Sequence, residues 1–302
     1  MNKVYALVWN QAQGCWSVTD EGARRRRRSG TRKGLVVMVA GLLGIGVLPV
    51  AFALPTGGTV VSGTADILTF DNGKQMSINQ HSDKLITNWN DFSVNRGQTV
   101  TFSQPTKTSV ALNRVIGVNG SNIQGQINAN GQVFLINPNG VVFGNNAQVN
   151  VGGLVASTQN ITDANFTAGN YKFAGTSQAE VVNNGMITAT DGGSVALIGK
   201  TVRNEGDIKA QKGSVALGGG NEFTVSFDSN NLLDLKVDAA AIDALVSNGG
   251  LLKADGGQVL MTAKSAGSML QTVVNNQGAI EANTLSPVSY THLRAHETRG
   301  NL

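Results

Sequence analysis

The chain has 302 residues, one cysteine, 14% charged and 5% aromatic residues, and a formal net charge of +4. The basicity is local: residues 1–53 hold eight of the 23 Lys/Arg and two of the 19 Asp/Glu, leaving fifteen basic and seventeen acidic side chains for residues 54–302. That balance gives no basic face for phosphates and excludes nucleic acid as a partner, while the sole thiol, Cys15, lies in the leader and excludes disulfides, cysteine nucleophiles and Cys-rich zinc sites downstream.

The basic run Arg24–Arg28, with Arg32 and Lys33, precedes an apolar stretch from Leu35 to Phe52 that is broken by glycines and by Pro49. It ends in Ala51-Phe52-Ala53, small residues at the −3 and −1 positions of a signal-peptidase site, which predicts a cut between Ala53 and Leu54. A stretch of about 18 residues could also span a bilayer as an uncleaved anchor, but the glycines, Pro49 and the Ala-x-Ala ending favour cleavage. Residues 1–53 are therefore read as an extended signal peptide.

From Leu54 to residue 286 the composition changes. Gly and Asn are abundant, charge is sparse, and apolar residues alternate with polar ones in short runs: Thr59–Phe70, Gln98–Phe102 and Gln132–Ile136. Period-two alternation punctuated by Gly and Asn predicts many short strands joined by tight turns. The one helical expectation is about two turns in the Ala-rich stretch Asp238–Leu245.

The turns repeat. Asn-x-Gly-x-(Ile/Leu)-x-Ala occurs from Asn183 with Gly185, from Asn204 with Gly206, from Asn248 with Gly250 and from Asn276 with Gly278. The first three copies are followed by Gly-x-Val at Gly193, Gly213 and Gly257, and a weaker fifth copy runs from Gly125 to Val133. The Asn residues lie 21, 44 and 28 apart, which implies a unit of 21–22 residues and a further coil or an insertion near 221–245. Such a period is the signature of a β-solenoid, with Ile, Val and Ala stacking inward and Asn able to form amide ladders at the corners. The expected fold is all-β, a right-handed parallel β-helix of about ten coils with small extra-helical β elements. Residues 54–102 fit the repeat poorly and are expected to form an N-terminal β cap that covers the open sheet edge, with the coils over 103–286.

Three blocks then carry a family resemblance: Ala111-Leu-Asn-Arg-Val115, Gly131–Gly144 with its Asn137-Pro138-Asn139-Gly140, and Val149–Thr158. With the mature start Leu54-Pro-Thr-Gly-Gly58 and the opening Met1–Asn10, they resemble the secretion domain and extended signal peptide region of filamentous-haemagglutinin-type two-partner-secretion exoproteins. Family members often carry a second, earlier Asn-Pro-Asn motif; here Asn88–Phe92 is expected in its place. The resemblance implies passage through the Sec machinery, recognition by the POTRA domains of an outer-membrane transporter, and β-helix folding at the cell surface. It also implies an adhesin-like passenger beyond this domain, which would engage a receptor on a host or neighbouring cell. Asn137–Gly140 is first a turn sequence, so its expected role is to shape a corner, with direct transporter contact as the alternative.

No enzyme, cofactor or metal site is expected. His81 is the only histidine between 54 and 286 and has no Ser or Cys partner in view, and carboxylates are scattered singly. An extracellular polysaccharide-active enzyme would need such a cluster; the N-terminal part of a contact-dependent inhibition toxin would share this export domain and stays open on sequence alone. Residues 287–302 abandon the composition and are expected to be a non-native or disordered tail, in which the His292/His296 pair is too small a ligand set for a metal.

Overall fold

A computed structural model describes residues 6–10, 15–19, 54–227, 232–266, 273–283 and 293–297. The protein divides into two units, Met1–Pro49 and Val50–Leu302. In the first, Ala6–Asn10 and Cys15–Thr19 pair as an antiparallel hairpin.

The second unit is a parallel β-helix with three faces. One face stacks eight parallel strands, from Gln75–Gln80 to Ala279–Glu281, and is closed at its N-terminal edge by the antiparallel strand Ala65–Phe70. Its inward residues form a single column across eight rungs: Met76, Val100, Ile127, Val149, Ile187, Ile208, Leu252 and Ile280. All but Ile280 are buried, and burial of each such residue contributes about 1.5–3 kcal/mol. Outward neighbours such as Gln126 and Gln148 are exposed, so this face has the alternation that the sequence displays.

The second face also stacks eight parallel strands, from Lys84–Trp89 to Leu293–Glu297, with the antiparallel strand Thr59–Ser62 at its edge. Here alternation disappears in the middle strands. Gly153–Ser157, Val195–Gly199 and Ser214–Gly219 are buried throughout, as expected of strands covered on both sides. The outer cover is a three-stranded antiparallel sheet of Tyr171–Ala174, Glu222–Phe227 and Leu233–Ala239, beside the short helix Asp163–Ala168. Phe134, Phe166, Phe173, Phe223 and Leu235 form a second hydrophobic core between cover and coil. The third face is a six-stranded parallel sheet from Ser121–Ile123 to Val274–Asn276.

Several expectations change against this architecture. Asn204 pairs directly with Asn248, so the 44-residue step is one rung bearing an inserted hairpin. The described coil stack has eight rungs, fewer than the expected ten, because two long insertions, 158–179 and 220–244, leave the stack to build the cover. Asp238–Leu245 is not helical: its first residues end the strand Leu233–Ala239, because pairing with Glu222–Phe227 outweighs helix propensity. The helix at Asp163–Ala168 has local signals instead, a Thr162 side chain accepting the Asn165 amide and Gly169 closing it at φ 77°. Parallel pairing reaches back to Gln75 and Lys84, so residues 75–102 lie in coils and the antiparallel edge strands span only 59–70. Leu293–Glu297, in the stretch expected to be disordered, extends the second face in parallel with Gln258–Ala263.

The cover is tied to the first coils by charge. Lys84 Nζ donates to the carbonyls of Phe166 (3.3 Å) and Thr167 (2.7 Å) at the helix C-terminus. Arg114, largely buried, pairs with Asp163 at 2.7 Å and donates to Asn160 Oδ1 and the Ile161 carbonyl. Arg114→Ala removes these at once and is expected to lower stability by about 2 kcal/mol, read as an earlier urea midpoint with new protease cleavage within 160–175.

Candidate functional site

Asn137–Gly140 turns the backbone from the second face to the third. Asn137 is fully buried, and both polar atoms of its side chain are hydrogen-bonded. Its Nδ2 donates to the Asn119 carbonyl (2.9 Å) and Ser121 Oγ (3.0 Å), and its Oδ1 accepts from the Asn139 amide (2.9 Å). The Gly140 amide donates back to the Asn137 carbonyl at 3.0 Å, closing a tight turn with Gly140 at φ 111°. Pro138 and Asn139 are exposed, yet both are engaged: Ser177 Oγ donates to the Pro138 carbonyl (2.6 Å) and Asn139 Nδ2 to the Gly117 carbonyl (2.9 Å).

The motif is therefore a brace between rungs. It holds the loop 116–120 of the preceding coil from below, and that loop presents Ile116 and Val118, 60% and 88% exposed. Asn88–Phe92 occupies the same corner two rungs earlier, where Trp89 and Phe92 are buried edge to face at 5.4 Å and Trp89 Nε1 donates to Asn113 Oδ1 at 3.0 Å. Ser177 and Gly117 carried no sequence signal, because a hydroxyl 39 residues away is placed only by the stack.

The repeat asparagines form a continuous amide ladder. Asn183 Nδ2 donates to Asn204 Oδ1, Asn204 Nδ2 to Asn248 Oδ1, and Asn248 Nδ2 to Asn276 Oδ1, each at 2.7 Å. Each Nδ2 also donates to the carbonyl of the motif glycine two residues on: Gly185, Gly206, Gly250 or Gly278. None of these four glycines has a positive φ. A Cβ on Gly206, Gly250 or Gly278 would overlap the carbonyl oxygen of the motif glycine one rung earlier, so close approach, not left-handed geometry, selects the residue.

Elsewhere, Ala51 and Ala53 lie outside the described residues, while Leu54 is buried in the main core beside the first coil. His81 is exposed, with Nε2 at 2.9 Å from Asp66 Oδ2. Under the cover, Tyr171 packs 5.0 Å from Phe134, and this burial raises its phenol pKa. No group of three or more His, Cys, Asp or Glu side chains able to hold a metal occurs among the described residues.

Comparison with known proteins gives two family matches, the TPS secretion domain over residues 51–293 and the Extended Signal Peptide of Type V secretion system over residues 1–49. A heme/hemopexin-binding protein of Haemophilus influenzae strain Rd is 36% identical over 243 residues, covering 77% of this chain and 26% of its own length. A second protein of that name from H. influenzae is 34% identical over 236 residues. The solved HMW1 secretion domain of H. influenzae is 35% identical with a TM-score of 0.68, covering 77% of this chain and 60% of that one. The chain spans about a quarter of the length of the curated relatives it matches.

Proposed function

Because the chain belongs to the TPS secretion domain family and opens with the extended signal peptide of type V secretion, we propose that its N-terminal coils, braced by Asn137–Gly140, are what the POTRA domains of its transporter select. Such a domain is exported from a Gram-negative cell through the Sec machinery and periplasm to the surface, with an outer-membrane transporter as partner. The family is a secretion domain, not an enzyme class, and the proposed role of residues 54–293 is export and nucleation, without catalysis. The observation that carries this reading is the nearest-neighbour architecture: in the coil stack each rung pairs only with the rungs before and after it. A polypeptide emerging end-first can add such rungs one at a time.

The leader is proposed to be cut between Ala53 and Leu54, leaving the core residue Leu54 as the new N-terminus. The test is secretion from a Gram-negative host with and without the cognate transporter. Product in the medium only with the transporter, beginning at Leu54, is the expected result; retention with a functional transporter overturns it. Asn137→Ala leaves the Asn119 carbonyl, Ser121 Oγ and the Asn139 amide without their partner, a loss of about 3 kcal/mol. It is expected to reduce the secreted amount with the leader still cleaved, as read by immunoblot of medium and periplasm.

The activity of the whole exoprotein is proposed to be adhesin-like, acting on a host or neighbouring-cell surface receptor. The names of the two curated relatives support a second reading, capture of a heme-carrying host protein. Binding of purified full-length exoprotein to hemopexin, against binding to whole host cells, separates the two.

A further inference from the structure

Six Asn-Gly pairs occur between residues 54 and 286, beginning at Asn72, Asn119, Asn130, Asn139, Asn184 and Asn248. Asn-Gly is chemically labile because glycine offers no side chain to hinder attack by its own nitrogen. The Gly nitrogen loses its proton and bonds to the Asn Cγ, the bond between Cγ and Nδ2 breaks, and ammonia leaves with that proton. Water then opens the five-membered succinimide on either side, giving aspartate or isoaspartate. The step needs a Gly N–H that is free to leave its partner and an Asn side chain that is free to turn toward it.

The fold withholds those conditions from four of the six pairs. Gly131 donates to Gln104 Oε1 at 3.0 Å, while the Asn130 amide both donates to and accepts from the Gln104 backbone. Gly140 donates to the Asn137 carbonyl and Asn139 Nδ2 is held by Gly117. Gly185 donates to Asn183 Oδ1 at 3.1 Å. Gly249 donates to the Asn204 carbonyl at 2.7 Å, and Asn248 is locked in the amide ladder. By contrast, the amides of Gly73 and Gly120 and the side chains of Asn72 and Asn119 have no hydrogen-bond partner among the described residues, and both asparagines are exposed.

We propose that Asn72 and Asn119 are modification sites, where spontaneous deamidation adds negative charge to the N-terminal end of the β-helix as the protein ages. At 72 the new carboxylate stands beside Asp71 in the turn between Ala65–Phe70 and Gln75–Gln80. At 119 it enters the loop whose carbonyl Asn137 grips, and the isoaspartyl form adds one backbone carbon there. Because a hydrogen bond that must break slows the reaction by about tenfold, the two sites convert at least about tenfold faster than the other four.

The test is incubation of the full secreted protein at mildly alkaline pH in water enriched in heavy oxygen, followed by peptide mapping of all six sites. A parallel sample is held unfolded in guanidinium. The expected result is label at 72 and 119 first in the folded protein, with the six rates converging once it is unfolded. Conversion at Asn130 or Asn248 that keeps pace in the folded protein overturns the proposal, as does the same ranking persisting in guanidinium.

Discussion

Gly213→Ala is expected to destabilise the β-helix by about 3 kcal/mol or more. Gly213 sits in a column with Gly152, Gly193 and Gly257, where a Cβ on Gly193, Gly213 or Gly257 would overlap the carbonyl oxygen of the glycine one rung before. The obstacle is backbone held in a ladder on both sides, so it cannot turn away as a side chain would. The added methyl must pry two rungs apart and stretch the hydrogen bonds around them. Gly97 is the matched control: it has φ 78°, but a Cβ there would meet nothing within 4 Å. Gly97→Asn, suited to left-handed backbone, is expected to cost at most about 1 kcal/mol. Urea unfolding of the two variants measures the difference, and equal midpoints would remove close approach as the reason for the glycine column.

Asn204→Ala is expected to cost about 4 kcal/mol. Asn204 is fully buried, accepts from Asn183 and donates to both Asn248 and the Gly206 carbonyl. Its removal leaves Asn183 Nδ2 and Asn248 Oδ1 each short of a buried partner, and each such buried group costs about 1–3 kcal/mol. Asn276→Ala removes the same residue type from the exposed last position of the ladder and is expected to cost only about 1 kcal/mol. Both variants are read by urea midpoint, with amide exchange of Gly206 and Gly250 reporting whether the lesion stays local. Equal losses would mean that the ladder contributes side-chain volume and no hydrogen bonding of consequence.

The coil and its corners were legible because they repeat. Asn183, Gly185 and their equivalents recur with one internal pattern, Asn-x-Gly, and the inward column from Met76 to Ile280 appears as alternation in the primary structure. The cover was less legible. Its strands Tyr171–Ala174 and Glu222–Phe227 are about fifty residues apart and are brought side by side by the coils stacked between them. Its trace in the sequence is the unbroken apolar run Val195–Ile198 and, against the alternation expected of Gln132–Ile136, the run Val133–Ile136, both buried on two faces. The ends were read least well. Strands at 75–80 and 84–89 lack the Asn-x-Gly corner yet coil in parallel, and the buried Gln80 between them accepts a 3.1 Å hydrogen bond from Gln104 one rung on, a link that no repeat announces. The brace at Asn137–Gly140 was visible as a turn, but its grip on 117 and 119 depends on the rung before it.

The step from Asn204 to Asn248 consumes 44 residues and that from Asn183 to Asn204 consumes 21, yet each advances the ladder by one rung. Contour length and height are thereby uncoupled. The reach of the stack away from its first coil is counted in corners that can join the amide ladder, and residues between two corners are free to grow outward. New surface can accumulate on the flank, as the hairpin Glu222–Ala239 has done, while every later coil keeps its distance from the start.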